Sequence, residues 1–336
     1  MRYNPLFLMI ILIGAIMTVT TFAFAGEQPV KIRTLFNIEQ AFCAIKTNGV
    51  TGFDNRTSAF NGRGGGISST NSLILMENGE NEITLEMGAL GWFSPKVKTL
   101  DEKRQFTKDS GCNVDVVSFD KENNKQIISS IKLHINPQGI PASSPDETHP
   151  IIRSKIIAQQ ITEGHIDSDY FYDNYYPKNM EIYQFSQKIM INGIPKWAWV
   201  ESEKFTGNDI QMQKLKASYS ELAEVINKQD RRKLKEISGV ALDAWSKTTG
   251  ESIEDILFSQ YPKEDIEVKK ITILPIKWSD YDIKVMNQGR MVKMYNKTNP
   301  EYSPLTYKCV DEDGDECLGY FAPIFSLING KYVPVI

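Results

Sequence analysis

Hydrophobic and polar residues alternate along the chain in two different rhythms. Between residues 30 and 205 the apolar positions fall in short runs that read as strands, at 41–47, 72–76, 82–87, 113–119, 127–135, 180–183, 187–191 and 197–200. The run Glu82-Ile83-Thr84-Leu85-Glu86-Met87 shows the period of two that marks a half-buried strand. With the run at 72–76 and the polar turn at 77–81, it reads as a hairpin. Asn192-Gly193 marks another turn, ahead of the expected strand Trp197-Ala198-Trp199-Val200. Many short strands joined by polar turns predict a β-sandwich over 27–205.

The rhythm changes at Asn208-Asp209, where either side chain can cap a helix. Met212, Leu215, Tyr219, Leu222, Val225 and Ile226 then follow at helical spacing. Asp230 starts a second expected helix, ending near Gly250, and a third covers 252–260 and stops before Pro262. Strands are expected at 266–276, 282–285, 290–295, 305–310, 319–324 and 331–336. Helices followed by an antiparallel sheet make 209–336 an α+β domain.

Two segments resemble known folds. The stretch SLILMENGENEITLEMGAL resembles the paired central strands of galactose-binding-like jelly-roll domains, which implies a jelly roll for the first domain. The segment SYSELAEVINKQDRRKLKEI resembles the opening helix pair of the NTF2-like family, which implies a cone, a sheet wrapped around a long helix, for the second.

The N-terminus changes the cellular picture. Arg2 is followed by an uncharged run from Leu6 to Ala25 that ends Ala23-Phe24-Ala25, a small-x-small exit. This is the pattern of a secretory signal over residues 1–25, cleaved after Ala25. The competing reading, an uncleaved anchor, is disfavoured by Thr18, Thr20 and Thr21 and by that exit. No later segment is long and apolar enough to span a bilayer. Removing Arg2 leaves 37 basic against 42 acidic residues, a net charge of −5, which gives no footprint for nucleic acid. The four cysteines of an exported chain are expected to form disulfides. Of the three pairings, Cys43–Cys112 and Cys309–Cys317 each stay within one expected domain.

Candidate chemistry is sparse. The three histidines are His134, His149 and His165. Only His165, near Asp167 and Asp169, sits among carboxylates, and the ordinary reading of that segment is a solvated turn. Asp243 and Asp255 are the acids through which an NTF2-like enzyme would have to act. Between Cys309 and Cys317 lie five acids, with Asp311, Asp313 and Asp315 at alternate positions. They read as an acidic hairpin tip, a partial calcium loop shorter than an EF-hand, or a knob for a basic cleft on a partner. Tyr170, Tyr172, Tyr175 and Tyr176, with Phe171, form an aromatic cluster suited to a sugar or a protein interface. The glycine-rich Asn61–Ser68 stretch lacks the Lys-Ser/Thr of a phosphate loop, and no nucleophile elbow, zinc motif or C-x-x-C occurs.

The expected function is therefore binding rather than catalysis, with no cofactor and no metal. The two-domain exported architecture is similar to immunity proteins that accompany antibacterial effectors of type VI secretion. That likeness implies a periplasmic or secreted protein that blocks a toxin. The alternatives are binding of a carbohydrate of the cell envelope, or an enzyme using Asp243 or Asp255.

Overall fold

The protein is described by a computed structural model covering residues 31–96, 99–120, 122–144, 149–162, 175–262, 266, 271–310, 314 and 316–336. The N-terminal part runs β1 (Lys31–Glu39), β2 (Phe42–Thr47), β3 (Val50–Asp54), α1 (Arg56–Phe60), β4 (Gly66–Asn71), β5 (Gly79–Gly88) and α2 (Leu100–Arg104). It continues with β6 (Gly111–Phe119), β7 (Lys125–Ile135), β8 (Pro141–Ser143), β9 (Ile151–Ile157) and β10 (Glu181–Ile191). These strands form two five-stranded antiparallel sheets, ordered β4-β1-β6-β7-β8 and β3-β2-β5-β10-β9.

Their facing sides make the core of a β-sandwich. Ile32, Phe36 and Ile38 of β1, and Val114 and Val116 of β6, meet Ile45, Ile83, Leu85 and Phe185 of the other sheet. The Cys43–Cys112 disulfide joins the two sheets, from β2 to β6, with Cα atoms 6.4 Å apart. The second sheet is also covered behind: Phe42, Ala44 and Ile182 pack against Ala59, Trp92 and Phe93. Burial on both faces explains why β2 reads as the continuous apolar run Phe42-Cys43-Ala44-Ile45.

Two expected strands are short 3-10 turns instead, Leu73–Leu75 and Ala198–Glu201. Leu73, Ile74, Leu75 and Met76 are all buried, so the segment has no outward face to alternate with. The carbonyls of Leu73 and Ile74 accept from the indole N–H groups of Trp197 and Trp199, at 3.0 and 3.3 Å, in place of a strand ladder. The hairpin read at 72–87 is therefore not formed, and β5 pairs with β2 and β10. The turn before it is real: the Asn81 side chain accepts from Glu77 N at 2.9 Å and donates to Glu77 O at 2.8 Å.

The C-terminal part holds α3 (Asp209–Asn227), α4 (Arg231–Ile237), α5 (Gly239–Thr249) and α6 (Ile253–Gln260). The strands β11 (Thr272–Ile273), β12 (Tyr281–Met286), β13 (Met291–Asn296), β14 (Leu305–Val310), β15 (Glu316–Phe321), β16 (Phe325–Ile328) and β17 (Lys331–Pro334) follow. The caps agree with the residues that announced them. Asn208, Asp230 and Ser252 accept from Gln211 N, Lys233 N and Asp255 N. Gly250 ends α5 with φ +80°, in the left-handed region that favours glycine. The second expected helix is divided between α4 and α5 at Ser238-Gly239, a pair that weakens a helix interior.

Among the described residues the strands make two sheets, β11-β14-β15 and β12-β13-β16-β17, rather than the single wrapped sheet of a cone. Both pack on α3, whose Leu215, Tyr219, Leu222 and Ile226 share a core with Val292, Met294, Leu305 and Phe325. Tyr219 is fully buried, accepts a hydrogen bond from Met294 N at 2.9 Å, and has its ring 4.7 Å from that of Phe325. The Cys309–Cys317 disulfide joins register partners on β14 and β15. No described helix is long and apolar enough to cross a membrane.

The two parts share buried surface. Ala244, Met286, Met291, Ile324 and Val335 belong to the same apolar cluster as Ile32 and Leu85. Backbone hydrogen bonds also cross between them, from Asn287 N to Asn48 O at 2.9 Å and from Glu203 N to Leu327 O at 3.1 Å.

Candidate functional site

The outward faces of two sheets form a cleft of about 310 Å³ where the N-terminal and C-terminal parts meet. Strand alternation determines what each side contributes. In β2 and β5, Ile45, Leu85 and Met87 point into the sandwich core, which leaves Lys46 and Glu86 on the opposite face. In β13, Val292 and Met294 point into the helical core, which leaves Lys293 and Tyr295 facing the cleft. Lys284 of β12 is the register partner of Lys293 and shares its face. Asp54 ends β3, Arg56 starts α1, and Tyr175, Tyr176 and Tyr320 complete the main polar and aromatic lining.

Most of the charges are paired. Glu86 is buried, forms an ion pair with Lys46, and accepts from Gln184 Nε2 at 2.7 Å. Arg56 is buried and forms an ion pair with Glu301 across the two parts of the chain. Its guanidinium lies 4.7 Å from the Tyr175 ring centroid and 5.6 Å from that of Tyr176, within cation–π range. The two tyrosine rings meet edge to face at 4.9 Å, and Tyr176 also meets Phe42 at 5.5 Å. The Tyr175 hydroxyl donates to Gln159 Oε1 at 3.1 Å. Burial raises both phenols well above the ordinary tyrosine value, so they remain neutral donors. Asn55 fixes the start of α1: it accepts from Cys43 N at 2.7 Å and donates to Ala41 O at 2.9 Å.

Lys284 and Lys293 differ from these pairs. Both are half-buried, they stand directly opposite each other, and neither forms an ion pair within 4 Å among the described residues. Burial, then the Lys293 and Lys46 charges, lowers the Lys284 ammonium to about 8, and burial lowers Lys293 also. Like charges directly opposite on neighbouring strands destabilise a sheet. The unfolded chain holds the Lys284 proton up to its ordinary value of 10.5, while the folded chain releases it near 8. Stability therefore rises as pH passes from about 8 to 10.5, and the penalty is complete below 8. Lys284→Met should stabilise the fold at pH 7 by about 1–2 kcal/mol, with the gain gone near pH 10.5. Urea titrations at both pH values check this, and a destabilised variant at pH 7 would contradict it.

The structure brings Tyr175 and Tyr176 into the cleft, while Tyr170, Phe171 and Tyr172 lie outside the described residues. Asp311, Asp313, Asp315, His165, Asp167 and Asp169 also lie outside them, and with them the calcium and acidic-knob readings. The two expected disulfides are present. His134 is exposed on β7, and His149 O accepts from Gln187 Nε2 at 2.7 Å; neither lines the cleft. Among the described residues no three His, Cys, Asp or Glu side chains are grouped as metal ligands.

Asp243 and Asp255 do not occupy a cavity. Asp243 is exposed and pairs with Lys247 at 2.7 Å, a one-turn helix pair, and exposed Asp255 accepts from the Ser252 hydroxyl at 2.6 Å in the first turn of α6. Both face solvent as helix-surface groups, which gives no support to the alternative of an enzyme acting through them.

Sequence reading missed Lys46, Asp54, Arg56, Glu86, Lys284 and Lys293. A signal existed in Lys284 and Lys293, which sit at alternate positions beside apolar residues and mark the outward face of each strand. No protein-family model matches the chain, and no curated protein or solved structure is detectably similar to it.

Proposed function

We propose that this chain is an exported binding protein that holds a small hydroxylated ligand, a sugar of the cell envelope, in the cleft between β2–β5 and β12–β13. One observation carries the reading: charged side chains and tyrosines from both parts of the chain converge on a single concave site. Tyrosine rings offer flat surfaces for the apolar faces of a sugar ring, and carboxylates, ammonium groups and Gln159 are partners for its hydroxyls. The described lining contains no histidine, cysteine or serine. Export is supported by two disulfides, which persist in oxidising compartments, and by the apolar leader at 6–25. The effector-blocking role rests on the resemblance of the two-domain exported architecture, with the acidic segment and the aromatic cluster fitting it, whereas the cleft favours the glycan alternative.

The test is retention of the mature chain on immobilised peptidoglycan and envelope polysaccharides. Tyr320 is 41% exposed at the cleft, so removing its ring leaves the core intact. Tyr320→Ala should weaken retention about tenfold, the loss of one stacking contact of about 1.4 kcal/mol. No retention of the unaltered chain, or equal retention of the variant, would reject the cleft as the site.

A further inference from the structure

The charges of the described cleft lining do not balance. Its described lining holds four basic groups, Lys46, Arg56, Lys284 and Lys293, and three acidic ones, Asp54, Glu86 and Glu301. Lys46 is matched by Glu86 and Arg56 by Glu301. That leaves two lysines facing one carboxylate, 4 − 3 = +1. Asp54 is itself partly engaged, since its Oδ1 accepts from Arg56 N at 3.0 Å. Two half-buried ammonium groups placed directly across a strand pair repel each other, and a shared anion removes that repulsion.

The size of the imbalance limits the anion. One negative charge neutralises the described lining. A phosphate dianion would bring surplus charge beside Asp54 and Glu86. Resting on the ligand-binding reading of this same cleft, we infer that the ligand is a carboxylated sugar, its carboxylate seated between Lys284 and Lys293. The remainder of the ring then lies toward Tyr295 and Tyr320, which share the cleft wall with the lysines.

The pH dependence follows from the groups around the lysines. Lys284 releases its proton near 8, and it shares the cleft with the cations Lys46 and Arg56 and the acids Asp54, Glu86 and Glu301. The phenols of Tyr175 and Tyr176 stay neutral in that range because burial raises both. Carboxylate affinity therefore falls with rising pH as the ammonium charge is lost.

The experiment is calorimetric titration of the mature chain with D-glucuronate, D-galacturonate, N-acetylneuraminate, D-glucose, D-galactose and inorganic phosphate. At least one carboxylated sugar should bind at least tenfold more tightly than the neutral sugars and phosphate. Its affinity should fall at least fivefold from pH 7 to 9.5. Lys293→Met and Lys284→Met should each remove the preference, and two independent variants guard against the misfolding of one. If neutral sugars bind as well and Tyr320→Ala weakens them, the carboxylate inference fails and the cleft reading stands. Tighter binding of phosphate than of any carboxylated sugar also overturns the inference. If no probe binds, both readings fall.

Discussion

Replacing Cys43 and Cys112 together by alanine should lower the unfolding free energy by about 4 kcal/mol. The bond closes a loop of 69 residues, and the chain-entropy relation assigns about 4 kcal/mol to a loop of that length. The same relation gives about 2.5 kcal/mol for Cys309–Cys317, which are only eight positions apart. Both cysteines of the first pair are fully buried between the sheets, so alanine also leaves small voids there. Urea titration of the two double variants compares them under one set of conditions. The order is the sharper test: a larger loss from the 309–317 pair would show that loop closure does not set these stabilities.

Trp199→Ala should cost about 4 kcal/mol, within the range for removing a large buried aromatic side chain. Trp199 is 1% exposed, and its loss removes more than apolar area. Its indole N–H satisfies Ile74 O, and the Arg290 guanidinium lies 5.3 Å from its ring. Arg290 in turn forms an ion pair with Glu77 and donates to Val200 O at 3.2 Å and to Asn287 Oδ1 at 2.8 Å. Without the ring, a half-buried charge loses cover and a buried carbonyl loses its donor. Because this knot ties the turn before β5 to the turn between β12 and β13, the variant should also show a broader unfolding transition. Trp199→Phe keeps most of the packing and should recover at least half of the loss. A cost below about 2 kcal/mol for the alanine variant would show that the surroundings collapse around the vacancy.

The fold was legible where one face of an element meets solvent. The pattern at 305–310 coincides with β14, and the caps Asn208, Asp230 and Ser252 announce their helices because capping is a local matter of one side chain and nearby amides. Reading failed where burial is complete. The run Ser72-Leu73-Ile74-Leu75-Met76 carries no periodicity, and its conformation depends on two indoles some 125 positions away in sequence. β1 has clear alternation in its burial, yet its buried positions include Thr34, whose hydroxyl is bonded to that of Ser72, so polarity hid the pattern. The candidate site was half legible. Tyr175 and Tyr176 stood out as aromatics among polar residues, whereas the lysines gain meaning only when β12 and β13 are set against the sandwich. Arg56 and Glu301 are paired across 245 positions, a link no local pattern contains.

The participation of Val335 in the cluster that begins with Ile32 has a temporal side. A polypeptide synthesised N-terminus first must wait for residue 335 before the earliest strands are sealed. Met286, Met291 and Ile324 also reach that cluster late, and until the last of these residues is in place the sandwich presents an unfinished apolar seam. Contacts of such long range slow folding and prolong the exposure of sticky surface. The molecule is thus expected to lean on holding factors until its synthesis is complete, and to become protease-resistant late and all at once.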